Sequence, residues 1–411
     1  MSNYIKHLHV ENVGMFNRLD ISFSPRMNVI FGTNGSGKTS ILRCLSFCCS
    51  QSKYENSRFR KGASFWIDAE MEAVSKRIGA KNVSQNDTQY RSSNISVLNS
   101  APLLNGITNH DLILPYNSKY HLYAIGAYRT FSYVRIDGMK KEPNAESALR
   151  NFASSNAERL DTSNLPNIKQ WMINRYFVID KDWAVFEKEN WNIMMDTLPD
   201  IVPPGSEFHF SRIERDLEPI FTINGAECYL EELSGGYKSV LSIIMSIIDW
   251  CEETNEGEQK LIKNSEGTVL IDEIDVHLHP EWQASILKIL KSLFPRLQFI
   301  VTTHSPYVIA SAECNELIKI RISGNREFDL QPDERSYGGW TLNYILSDLM
   351  GVPEADDEES LELINALDNA IEKKEYQEFD KAYMALSNRL HTDDPRLLYY
   401  KMRKAKTLLQ Q

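Results

Sequence analysis

Met27-Asn28-Val29-Ile30-Phe31-Gly32-Thr33-Asn34-Gly35-Ser36-Gly37-Lys38-Thr39-Ser40 is the stretch on which the fold turns. An apolar segment, Met27–Phe31, runs into a glycine-rich turn, and Thr39–Cys49 then repeats apolar residues at helical spacing through Ile41, Leu42, Cys44 and Leu45. Strand, glycine-rich loop and helix in that order make a phosphate-binding loop. The glycines let consecutive backbone N–H groups converge on phosphate oxygens, and the dipole of the following helix favours the negative charge. Lys38 adds a point charge for the terminal phosphates of ATP, and the Thr39 hydroxyl is placed to ligate Mg²⁺. Asn34 to Ser40 are therefore the expected nucleotide contacts.

Two further stretches complete the pattern. Val269-Leu270-Ile271-Asp272-Glu273 reads as a buried strand ending in two acids. Asp272 is expected in the Mg²⁺ shell, and Glu273 is expected to polarise the attacking water. Leu233-Ser234-Gly235-Gly236-Tyr237-Lys238 opens a strongly apolar helix over Ser234–Trp250. A Ser-Gly-Gly helix start offers a hydroxyl, free N–H groups and a helix dipole, and so a second anion site. On its own it is equally an N-cap with a flexible lead-in. It lies 38 residues before Asp272, and His304 follows 32 residues after Asp272, at the end of an apolar strand over Gln298–Thr302.

Phosphate loop (Walker A), LSGG signature, acidic strand end (Walker B) and strand-end histidine, in that order, resemble the ABC-type ATPases, including the SMC, Rad50 and RecF-like proteins. The resemblance spans residues 1 to about 310. It implies an α/β P-loop head with a mostly parallel sheet. It also implies that Ser234, Gly235 and Gly236 of one subunit cap the nucleotide held by Lys38 of another, with Asp275 in the D-loop and His304 as the switch histidine. Hydrolysis would then need at least a dimer. Asp272-Glu273-Ile274-Asp275-Val276-His277-Leu278-His279-Pro280 and Thr302-Thr303-His304-Ser305-Pro306 narrow the resemblance to the OLD-like and AAA-15/AAA-21 ATPases. Within that group the chain resembles stand-alone anti-phage defence ATPases of the Septu and retron PtuA type. Their implied role is an ATP-gated sensor or scaffold that controls a separate effector, a nuclease or toxin. Two departures stand out. The glutamine of the Q-loop is not fixed among Gln51, Gln85 and Gln89, and Val13-Gly14 stands where many SMC-like relatives carry a basic residue.

The rest of the chain fits this frame. With 411 residues, 42% of them hydrophobic and a net charge of −11, it is an ordinary globular protein of two or three parts. Six cysteines show no metal-ligand spacing and read as reduced, mostly buried thiols of a cytoplasmic protein. The pair His277 and His279 lacks a third ligand at usable spacing, so no metal is expected there. Residues 1–141 and 206–330 are expected to form the ATPase lobe. Residues 142–205, rich in aromatics such as Trp171, Trp183 and Trp191, read as a helical insertion or lid with its own small core. Residues 331–411 read as a helical docking module, with Leu361, Ile364, Leu367 and Ile371 on one helix and a basic final helix after Asp394-Pro395. Phe65–Val74 reads as a strand and Ser84–Asn109 as an exposed loop.

Other functions fare less well. After His304 the acids are scattered with no Asp-x-Asp behind an apolar strand, so no nuclease site is expected in this chain. A RecF- or Rad50-like repair ATPase that binds DNA directly is the main alternative. The acidic balance and the absence of a long heptad run weigh against it. A transporter subunit fits worst, because the polar loop Cys251–Glu266 lengthens the gap between signature and Walker B, and no stretch is apolar and long enough to span a membrane.

Overall fold

A computed structural model describes residues 3–49, 59–85, 95–100, 112–113, 119–129, 133–162, 167–202, 205–321, 324–351, 358–390 and 394–409. It divides into two compact units, Met1–Ile345 and Leu346–Gln411. The second unit thus begins at Leu346, beyond the 331 read from the sequence.

The first unit opens with β1 (Tyr4–Val13), β2 (Phe16–Ser22), β3 (Met27–Gly32) and α1 (Lys38–Cys49). Then come β4 (Phe59–Met71), β5 (Val74–Gln85), β6 (Ile95–Ser100), β7 (Leu112–Ile113) and β8 (Leu122–Ile125). A helical segment of α2 (Ala145–Arg159), α3 (Ile168–Val178) and α4 (Val185–Thr197) precedes a meander of β9 (Phe208–Ile213), β10 (Pro219–Ile223) and β11 (Ala226–Tyr229). The remainder is α5 (Gly235–Thr254), β12 (Gly267–Ile271), α6 (Pro280–Leu293), β13 (Leu297–Thr303), α7 (Pro306–Ser311), β14 (Leu317–Ile320), β15 (Glu327–Leu330) and a single turn, α8 (Leu342–Tyr344).

Among the described residues the strands form three sheets. The central one is parallel throughout, in the order β14-β3-β13-β12-β8. Both of its faces are covered, so that β12 and β13 are buried at every position. In such a sheet ligands bind beyond the carboxyl ends of the strands. The second sheet, β15-β2-β1-β4-β5-β6 with β7 beside β5, is mostly antiparallel. One apolar core joins both sheets to α1, through Leu8, Val10, Phe65 and Ile67 on one side, Ile41, Leu42 and Leu45 in the middle, and Ile30, Leu270 and Ile300 on the other.

Two sequence expectations change here. The strand read as Phe65–Val74 is a hairpin, β4 and β5, whose two-residue turn places Glu72 and Ala73 at φ 53° and 64°. Such turns are ordinarily marked by Asn-Gly, so this one gives no signal in the sequence. Ile95–Ser100, inside the expected loop, is a strand paired with β5. Most of that stretch lies outside the described residues, as do Gln51 and Gln89.

The helical segment packs against the head. The Asn156 side chain on α2 accepts from Ala124 N at 3.0 Å and donates to Leu122 O at 2.9 Å. It thereby satisfies the free edge of β8 in place of a neighbouring strand. Buried Glu252 on α5 accepts from Trp171 Nε1 and Arg175 Nε on α3 and from Asn190 Nδ2 on α4, at 2.9, 2.6 and 2.9 Å. The aromatics do pack together, with Trp171 stacked on Trp191 at 5.8 Å and Trp191 edge-on to Phe210 at 5.3 Å. Trp183, 70% exposed, stays outside that cluster.

The second unit holds α9 (Glu358–Lys373), α10 (Tyr376–Ser387) and α11 (Pro395–Leu409). Leu367, Ile371, Phe379, Leu386, Leu397 and Tyr400 make its core. Leu361, read as part of that stripe, is 46% exposed. Among the described residues no helix is long and apolar enough to cross a membrane.

Candidate nucleotide site

Four strands of the central sheet deliver side chains to one edge. β3 leads into the glycine loop, β12 into Asp272 and Glu273, β13 into His304, and β8 into Gly126–Arg129. The first three carry residues read from the sequence.

In the loop, Gly35 and Gly37 have φ of 76° and 93°, values that side chains disfavour. A Cβ on Gly37 would also collide with Met15 and Phe16. Thr33, Asn34 and Gly35 are exposed, whereas Ser36 is fully buried and its hydroxyl lacks a partner among the described residues. Lys38 and Thr39 open α1, followed by half-buried Ser40. The Lys38 ammonium donates to Gly32 O and Thr33 O at 3.0 and 3.1 Å. Burial pulls its pKa below the usual lysine value, against the attraction of Asp272, Glu273 and Asp275. A bound polyphosphate would reinforce its charge.

Opposite the loop, Thr39 Oγ1 donates to Asp272 Oδ2 at 2.8 Å, and Thr302 Oγ1 on β13 donates to Asp272 Oδ1 at 2.6 Å. Asp272 is 3% exposed. Two hard oxygens, from Thr39 and Asp272, thus meet at one point. That donor set suits Mg²⁺, which takes one or two protein oxygens and completes its shell with phosphates and water. Consistent with so sparse a set, the described residues contain no cluster of three His, Cys, Asp or Glu side chains able to hold a metal by themselves. When bound, Mg²⁺ would supply charge neutralisation of the phosphates.

Glu273 sits at φ 46°, and its N–H donates to Thr302 Oγ1 at 2.7 Å. The chain therefore leaves the sheet sharply after Asp272 and carries Glu273 to the strand end, half-buried, in a backbone region costly for a residue with a side chain. Asp275 Oδ1 accepts from Thr303 Oγ1 at 2.5 Å and from His304 N at 3.3 Å, tying the loop after β12 to the end of β13. His304 is half-buried. Desolvation first, and then Lys38, lower its pKa from 6.5. The folded chain therefore holds a neutral imidazole at pH 7. Because the unfolded chain takes up this proton first, the associated stability is present above about pH 6.5 and is lost as pH falls toward the folded value. Between pH 7.5 and 5.5 the wild type should lose more melting temperature than His304→Asn; an equal loss would remove His304 from the account.

Ser234 caps α5 by backbone geometry alone, without a side-chain cap bond. Ser234 and Gly235 are exposed, but Gly236 is buried against the Trp282 ring, which leaves no room for a Cβ. Behind it α5 is buried almost all round, from Ser239 to Ile248, so the helix start is held rigidly. The loop after β12 lies alongside: His277, at φ 67°, has its side chain 3.8 Å from where a Gly235 Cβ would stand. His279 caps α6 and faces Glu281 at 3.7 Å.

Sequence reading missed Arg129, which follows the end of β8. It is 1% exposed. Its Nη1 donates to Gly126 O and Asp272 O at 3.0 and 2.8 Å, its Nη2 to Glu273 O at 2.5 Å, and its Nε to Ser239 Oγ at 3.0 Å. Burial lowers its pKa to about 10, with Asp275, Asp272 and Glu273 opposing. No motif spacing marks it; the only signal is an arginine two residues past an otherwise apolar and small core stretch. Gln85, by contrast, ends β5 in the other sheet.

This fold and edge define the head of an ABC-type P-loop ATPase. The chain belongs to the RecF/RecN/SMC N-terminal domain family, which matches residues 4–327. It is 28% identical to the Septu protein PtuA of Bacillus thuringiensis over 95% of each chain. The retron Vc95 probable ATPase of Vibrio cholerae serotype O1 biovar El Tor is 31% identical over 36% of this chain and 29% of that protein. Among solved structures, the SMC head domain from Thermotoga maritima aligns over 80% of this chain and 99% of that one, at 16% identity and a TM-score of 0.43.

Proposed function

We propose that this chain binds and hydrolyses ATP with Mg²⁺, pairs with further copies through composite nucleotide sites, and controls a separate effector, a nuclease or toxin, in cytoplasmic anti-phage defence. The observation that carries the pairing is Ser234: an exposed hydroxyl at the start of a buried helix, with no cap bond of its own. An exposed helix start of this kind suits an anion, as a cap for a neighbour's γ-phosphate requires. In this reading Lys38 and the Asn34–Ser40 loop hold the phosphates, Thr39 and Asp272 hold Mg²⁺, Glu273 polarises water, and His304 contacts the γ-phosphate. The defence role is supported by the end-to-end similarity to the Septu protein PtuA. Nucleic acid would enter through the whole complex, and no membrane is involved.

Ser234→Ala should then lower kcat by at least about tenfold and leave the ATP affinity of a single chain within about twofold, because the hydroxyl acts across the interface. Equal losses of affinity and rate would place Ser234 in its own chain's pocket. For the effector, the chain is expressed with its flanking genes and the native mass of what co-purifies is read with ATP and Mg²⁺. Several copies together with a nuclease or toxin support the reading. A bare dimer retaining DNA at moderate salt supports the repair alternative.

A further inference from the structure

We infer that Arg129 is a positioning residue that locks the signature helix to the acidic strand end. This inference rests on the ATPase reading of the site. At the end of β12 the chain turns away at Glu273, so the carbonyl of Asp272 lies beyond the ladder and that of Glu273 accepts one bond, from Val276 N in its own turn at 3.0 Å. Buried carbonyls need donors. Arg129 supplies them and uses four of its five N–H groups, the fourth on Ser239 of α5. Ser239 in turn donates to Val276 O in the D-loop, at 3.2 Å. One guanidinium therefore connects the β8 end, both acidic residues' main chain, and the helix that presents Ser234. A shift of α5 as Ser234 meets a phosphate would pass to the Glu273 backbone through two hydrogen bonds. A carbonyl-satisfying role alone would not require the bond to α5.

Arginine suits the position because its planar fork reaches three carbonyls and a hydroxyl at fixed angles; the single ammonium of lysine does not. Arg129→Lys keeps the charge and loses the fork. It should lower kcat about 10- to 100-fold through misplacement of Glu273, with ATP affinity within about threefold of wild type. Ser239→Ala removes the α5 arm together with its bond to Val276 O, and should lower kcat by a smaller factor. It also covers the case in which Arg129→Lys fails to fold. If both act through one lock, Arg129→Lys combined with Ser239→Ala is no slower than Arg129→Lys alone. Affinity falling in step with kcat, an unchanged kcat in Ser239→Ala, or multiplying effects in the double variant would overturn the inference. If the wild type itself fails to hydrolyse ATP, the ATPase reading fails instead, so the two failures are distinguishable.

Discussion

Glu273→Gln should slow ATP hydrolysis by about 10²- to 10⁴-fold, the usual contribution of a positioned general base, and leave ATP binding intact. The substitution is nearly isosteric. The features that place residue 273, its φ of 46° and the bond from its N–H to Thr302 Oγ1, belong to the backbone and survive the change. Lys38, Thr39 and Asp272 keep every bond described for them. The variant should therefore accumulate in the ATP-bound, associated state, and its complex should outlive that of the wild type. Steady-state phosphate release and equilibrium binding of ATP read the two effects separately. A parallel loss of affinity would make Glu273 a structural acid.

Lys38→Ala should weaken ATP binding by roughly 10²- to 10³-fold, about 3–4 kcal/mol, which falls inside the range for truncating one partner of a buried charge pair. Without nucleotide its ammonium is spent on two carbonyls of its own loop. Thr33 is exposed and Gly32 half-exposed, so water can replace the lost donor, and the melting temperature without ATP should move little. What should vanish is the rise in melting temperature that saturating ATP confers on the wild type. A variant that still gains that stabilisation would show that the loop is not where the phosphates bind.

The parts of this site legible in the sequence are those whose chemistry is local in the chain. The glycine loop needs residues at fixed neighbouring positions, and Asp272 and Glu273 announce themselves because two acids end an otherwise apolar strand. The apolar run behind Ser234 likewise signalled a buried helix. The elements left unread depend on partners distant in the chain. Arg129 gains its meaning from carbonyls 143 and 144 residues away, and Thr302 from a carboxylate 30 residues earlier. The β4–β5 turn hides because Glu72 and Ala73 adopt left-handed backbone that their side chains do not advertise. The docking of α2 was hidden for a related reason: Asn156 resembles any polar helix residue until β8 presents its edge.

The central claim is that each ATP is enclosed by the loop of one chain and the signature of another. Mixing Lys38→Ala with Ser234→Ala chains tests it most directly. Each variant alone should be nearly inactive, but a mixed pair contains one site with an intact loop facing an intact signature. Random pairing then predicts recovery to about a quarter of the wild-type rate, since half the pairs are mixed and each has one of two sites. No recovery, with both chains folded and Ser234→Ala still binding ATP, would contradict the composite site.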